Sequence, residues 1–298
     1  MKVDGKDVRI DGRLLRIARL AADGYEYFED PEAAVASVRQ AGARIDVFTF
    51  VQRLPDTKPK YEYPLEWDNV AAMPVSSFDH WWDRQINPKV RNMVRLAKKK
   101  GVAVREMPFD DALVHGISAI YNESPIRQGR RFAHFGKALE DIRRETGTFR
   151  ERAIFLGAFV EGRMIGYVKL VNDETGVQAG LMQILSMIGH RDKAPNNALI
   201  AEAVRSCAER GISHLVYSQF AYGKKQRDTL SDFKEANGFK KIDIPRYYVP
   251  LTTMGRLALR YGFHHPLTDR VPESVATRLR RFRAGWYNRR LAVPKESF

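Results

Sequence analysis

Two short stretches of this chain combine residue types that could do chemistry. The first is HRDKAPNNALIAEAVRSCAERG, residues 190–211, a charged, proline-bearing turn placed directly before an amphipathic helix. A helix start leaves its first backbone N–H groups without intrahelical partners. At Lys193-Ala194-Pro195-Asn196-Asn197 they are either capped by an asparagine side chain or presented to a phosphate or a developing negative charge. The second is YNESPIRQGRRFAHFG, residues 121–136, with Asn122, Glu123, Arg127, Gln128, Arg130, Arg131 and His134. Guanidinium groups grip carboxylate or phosphate through two parallel hydrogen bonds, and a glutamate can bind or deprotonate an amine. The plainer alternative is a basic surface loop. His264-His265 is adjacent rather than spaced for one helix face, and no Asp/Glu/His set accompanies it at ligand spacing, so no metal site is expected. Cys207 is the only cysteine, which excludes a disulfide within the chain.

The elements that must hold these groups belong to a chain of 298 residues, 44% hydrophobic and 29% charged, ordinary values for a globular protein with a sizeable core. The longest apolar run, AIFLGAFV at 153–160, is strand-sized, and MKVDGKDVRIDGR lacks the apolar stretch of a signal peptide. A cytoplasmic location is expected. The net charge of +14 is unevenly spread. Residues 251–298 have ten basic against three acidic side chains, and residues 84–105 have eight basic and no acidic ones. Such blocks suit an anionic partner, or simply a solvated helix face.

Periodicity and punctuation give the order of elements. DVRIDGRLLRIARL reads as a strand and turn, DPEAAVASVRQAG as a helix capped by Asp30 and ended at Gly42, and RIDVFTFVQRL as a strand. PDTKPKYEYPLEWDN, residues 55–69, reads as a loop. FDHWWDRQINPKVRNMVRLAKKKG is a basic helical stretch broken at Asn87-Pro88. From residue 102 the predicted order is β-α-α-β-β-β-α-β-α-β, with a hairpin about Glu161-Gly162 and a strand, GLMQILSMI, apolar on both faces and therefore central. Ile200, Val204 and Cys207 form one stripe of the helix after the turn.

This order is the one found in the GNAT acyltransferase superfamily. The phrases AP..L, A...GI..L.Y and L..FK...GF, with the basic helix RNMVRLAKKKGVAVR, more closely resemble its Fem-like branch, which includes peptidoglycan interpeptide-bridge ligases. The resemblance spans roughly residues 78–251. It implies an α/β (α+β) fold with a mixed, mostly antiparallel central sheet flanked by helices, preceded by a smaller, truncated GNAT-like half. The implied organisation is 1–77 for the small unit, 78–101 for a connecting helix, 102–251 for the acyltransferase domain and 252–298 for a basic helical extension. The glycine-rich turn Q/R-x-x-G-x-G/A of small GNAT enzymes has no counterpart here. His190, Arg191, Asp192, Lys193, Ala194, Pro195 and Asn196 stand in its place.

The resemblance also implies roles. Lys234 would stabilise the oxyanion at the donor carbonyl. Tyr222 or Tyr217 would protonate the leaving group, and Glu123 would bind or deprotonate the acceptor amine. Ile184, Ser186, His190, Arg191, Lys193, Ala194, Asn196 and Asn197 would face the donor. Asn122, Arg127, Gln128, Arg130, Arg131 and His134 would face the acceptor. The expected reaction is transfer of an acyl group from acyl-CoA (acetyl-CoA), without a metal, to an amine on a small molecule, peptide or lipid-linked precursor. Two alternatives stay open: aminoacyl-tRNA as donor, and a non-catalytic module binding nucleic acid or a membrane surface. Segments 84–105 and 270–290 would then contact tRNA or an anionic membrane, with peripheral attachment at its inner face. In the second segment Val275, Leu279, Phe282 and Trp286 form a helical stripe.

Overall fold

The computed structural model describes residues 1–221 and 229–265. The chain opens with strands β1 (Lys2–Val3), β2 (Lys6–Asp11) and β3 (Ile17–Leu20), helix α1 (Pro31–Gln40), and strands β4 (Val47–Val51) and β5 (Leu65–Pro74). Helix α2 (Phe78–His80) runs into a π-helical turn, Trp81–Gln85, before α3 (Pro88–Lys99). Then come β6 (Ala103–Met107), α4 (Asp111–Tyr121), a two-rung hairpin of β7 (Ile126–Arg127) and β8 (Arg130–Arg131), and α5 (Leu139–Thr146). Strands β9 (Ala153–Val160), β10 (Arg163–Asn172) and β11 (Gln178–Ser186) precede a 3-10 stretch, Ile188–Lys193, and α6 (Pro195–Glu209). The described chain ends with β12 (His214–Val216), α7 (Thr229–Ala236), β13 (Lys240–Pro250) and α8 (Thr253–Arg260). Among described residues, one compact unit comprises Met1–Pro74, Asn172–Gly180 and the chain from His214 onward; the other comprises Val75–Val171 and Leu181–Ser213.

In the first unit the strand order is β1-β2-β3-β4-β13-β5-β12, with Gln178–Gly180 of β11 beside β12. Among the described strands of this unit, β3/β4 and β11/β12 pair in parallel. Strand β5 corrects the expected loop over residues 55–69: from Leu65 it pairs with β13 in antiparallel register, Leu65↔Tyr247 to Ala72↔Lys240. Its acidic residues hid the strand. Asp68 is neutralised there by Arg246 of β13, which donates to it (3.1 Å) and to Asp23 (2.8 Å). Phe48, Phe50, Tyr247 and Val249 pack with Phe28, Val35 and Val38 to form this unit's core. Helix α1 is placed by its cap, Asp30 accepting from the amides of Glu32 and Ala33.

The second unit holds the sheet β11-β10-β9-β6, antiparallel at β10/β9 and β9/β6. The hairpin turns at Glu161 (φ 50°) and Gly162 (φ 80°), the two positive-φ residues that a tight turn matched to strand twist requires. Helix α6 packs on α3, β6 and β9. Asn87 caps α3 at Val90, so the helical stretch breaks where proline predicts. The 121–136 stretch is not wholly irregular: Gln128 (φ 51°) and Gly129 (φ 69°) close the β7–β8 hairpin.

Candidate functional site

In the second unit, the turn before α6 is not capped by an asparagine. Ala194, at φ 50° and ψ 44°, occupies the cap position with no side-chain hydrogen bond, and Pro195 begins the helix. Its carbonyl takes the amides of Asn197 (3.1 Å) and Ala198 (3.3 Å). Asn196 is half-buried, and its Oδ1 has no hydrogen-bond partner in the structure. Asn197 is buried, Arg191 exposed, and Lys193 lies 3.7 Å from Asp192. The buried Nδ1 of the half-exposed His190 likewise has no hydrogen-bond partner.

The head of the turn is held by Glu123. Its carboxylate accepts from the backbone amides of Ile188 (2.6 Å) and Gly189 (2.8 Å) and lies 3.2 Å from Arg127. Arg127 donates in turn to the carbonyls of Ser186 (2.8 Å) and Ile120 (2.7 Å) and lies over the Phe132 ring. Burial lowers its pKa, Glu123 opposes that, and Arg191 adds to it. Residues expected separately on the acceptor side (Glu123, Arg127) and the donor side (Ser186 and the turn) are thus tied into one knot. Ile184 lies half-buried on the same strand as Ser186. Asn122 donates to Ser118 and accepts from Gly136, fastening the end of α4. Gln128, Arg130 and Arg131 are exposed.

His134 stacks on Tyr121 at 4.5 Å, and burial together with Lys137 holds its imidazole below the usual range. Behind it lies a polar group the sequence reading missed. The Tyr121 and Tyr167 hydroxyls meet at 2.8 Å, and Gln183 bridges them at 3.0 and 3.3 Å. Burial raises both phenols above their ordinary range, so they remain neutral donors. The available signal is a glutamine and a tyrosine inside otherwise apolar strands.

The first unit holds Lys234 and Tyr217. Lys234 is fully buried, unlike most helix lysines. Its ammonium donates to the Gln219 carbonyl and sits 4.5 Å from the centre of the Tyr217 ring. The phrase FK...GF explains how it is placed. Phe239 N–H bonds to the Lys234 carbonyl (3.1 Å) and Gly238 N–H to Glu235 (3.0 Å), with Gly238 at φ 96°. These paired bonds end a helix in a left-handed residue, where glycine is favoured. The same turn sets the Phe239 ring 5.7 Å from Tyr217. Tyr222 lies outside the described residues, as do segment 270–290 and its stripe.

No protein-family model and no curated protein matches the sequence. Among solved structures, the C-terminal (DUF2156) domain of a protein described as a lysylphosphatidylglycerol synthetase from Agrobacterium fabrum is similar over 85% of this chain and 82% of its own, at 15% identity and a TM-score of 0.56. The L-PGS of Bacillus licheniformis is similar over 85% and 84%, at 11% identity and 0.55. FemX is similar over 80% and 83%, at 12% identity and 0.54. At such identities the likeness is one of fold, and it agrees with the resemblance that AP..L and L..FK...GF carry. The chain has the GNAT-like mixed α/β fold that the sequence resemblance implies, and these structures share it.

Proposed function

We propose that this chain is an acyltransferase that moves an acyl or aminoacyl group directly from donor to an amine, with both bound at once. The observation that carries the reading is Lys234, a cation withdrawn from water and aimed by a dedicated helix-ending turn. In this reaction the lone pair of the neutral amine forms the bond to the donor carbonyl carbon and the C=O π pair moves onto oxygen. The tetrahedral intermediate then collapses, re-forming C=O and breaking the bond to the leaving group; the leaving group takes up one proton and the new amide nitrogen releases one. A buried ammonium stabilises the oxyanion far better than an exposed one. Tyr217 or Tyr222 supplies the proton.

Glu123 favours an aminoacyl-tRNA donor over acyl-CoA. Small GNAT enzymes offer the amides of this turn to a pyrophosphate; here Glu123 holds the amides of Ile188 and Gly189, just ahead of residues 190–196, and its charge opposes a pyrophosphate beside it. The Agrobacterium synthetase similar in fold is named for lysylphosphatidylglycerol, a lipid carrying an amino acid, which adds lipid-linked acceptors to the class to be tried.

The test is a thermal shift with acetyl-CoA and desulfo-CoA beside single-turnover transfer from aminoacyl-tRNA to amine and lipid acceptors. A ligand at 100 times its dissociation constant stabilises the fold by about 2.7 kcal/mol, which is readily seen. Transfer from the charged tRNA with no shift from either coenzyme is the expected result. A clear shift with acetyl-CoA returns the donor to acyl-CoA. Neither shift nor transfer leaves a binding module.

A further inference from the structure

Sequence spacing gives His264-His265 no acidic companion, but the fold supplies one from 198 residues away. Glu66 of β5 places Oε1 at 2.7 Å from His264 Nε2 and 3.0 Å from His265 Nε2. The three side chains offer one ligand atom each, all within 4.8 Å of one another. We propose that Glu66, His264 and His265 form a binding site for a divalent transition metal of the zinc type, open at its fourth position.

Both imidazoles present Nε2 to the same carboxylate oxygen, with ring centroids 4.0 Å apart. In the absence of a metal an Nε2–H donates to that oxygen; a divalent cation would take the place of the proton and bind all three atoms. Nδ1 of His264 faces the carbonyl of Ala258 at 3.5 Å, and an outer carbonyl is a common support of a metal-bound histidine. Two imidazoles and a carboxylate suit zinc and its neighbours. Ligand atoms at tetrahedral positions around zinc lie about 3.3 Å apart, and the two nitrogen–oxygen separations here, 2.7 and 3.0 Å, would open by a few tenths of an ångström to reach it.

The site is held from both sides. Glu66 is fixed in β5 by pairing with Arg246 of β13. The histidines follow α8, which Thr252 caps at Gly255 while also bonding Asp46. Gly255 lies so close to the Asp46 carbonyl that a Cβ there would fall within 1.9 Å of its oxygen. Tyr248 packs edge-on against His264 at 4.8 Å. Glu66, His264 and His265 line a cavity of about 490 Å³ shared with Arg19, Asp68 and Arg246, room enough for an anionic or carbonyl ligand on the open position.

The test uses the full chain, stripped with chelator, and titrates Zn²⁺ against a chromophoric zinc indicator; Co²⁺ in its place reports four-coordination by its visible absorption. One equivalent bound at micromolar affinity or tighter is expected. His265→Ala, at a partly exposed position, and Glu66→Gln should each weaken it by at least the roughly 10–100-fold that loss of an outer-shell partner costs, and His115→Ala, an exposed control, should not. Circular dichroism of each variant establishes that it folds. Absence of stoichiometric binding by the parent chain, or binding unchanged in folded His265→Ala, overturns the site.

Discussion

Among the described residues each unit buries one lysine completely, Lys169 on β10 and Lys234 on α7, and each lies over an aromatic ring, Phe155 at 5.7 Å and Tyr217 at 4.5 Å. Their company differs. The three N–H bonds of Lys169 meet three oxygens: the Thr146 carbonyl (2.8 Å), the Thr148 carbonyl (2.6 Å) and the Thr148 hydroxyl (2.9 Å). Thr146 ends α5, so this cation neutralises the negative end of a helix. Lys234 instead reaches out of its own helix, which closes on Gly238 without help, to the chain that follows β12. Burial of a cation therefore does not mark chemistry. What it is bonded to, and whether the local fold needs it there, separates the fixture from the candidate.

The largest expected effect tests that separation directly. Lys234→Met keeps length and burial but removes the charge, and single-turnover transfer should fall by about 10²–10³-fold, the usual cost of losing one oxyanion donor. Lys169→Met should leave the rate of folded protein nearly unchanged; equal losses in the two variants would erase the comparison. Next in size, Lys169→Met should cost roughly 1–3 kcal/mol in urea unfolding at pH 7, because it strands the carbonyls of Thr146 and Thr148. A midpoint no lower than the parent's would remove Lys169 from the α5 end. The smallest effect is a trend with pH. Burial pulls Lys169 from its ordinary 10.5 down to about 8, so between these values the unfolded chain binds more protons. Parent stability then rises with pH relative to Lys169→Met, and urea midpoints taken at pH 7.5 and 10 should show the gap widening. A constant gap would show that the ammonium pays no burial penalty.

What was legible in the sequence is what is punctuated locally. Asp30 and Asp110 cap α1 and α4, Glu161-Gly162 turns the hairpin, and Asn87-Pro88 breaks the basic helical stretch, each through residues a few positions apart. Strand β5 was not legible, since its acidic residues make sense only beside Arg246 of β13. The Glu66–His264–His265 cluster was hidden for the same reason. Lys234 was singled out through FK...GF; in the structure the glycine and phenylalanine of that phrase end α7 and the lysine is buried. Lys169, Tyr167 and Gln183 went unread because each looks like a blemish in an apolar strand; their partners come from other elements.

The Glu123 clamp has a consequence in terms of concentration. A carboxylate attached to the chain cannot diffuse away from the amides it binds, and a short tether holds its effective concentration in the millimolar range or above. Dissolved phosphate or sulfate must outcompete a neighbour that is always present and already paired with Arg127. The chain itself supplies the anion that the head of the turn before α6 binds.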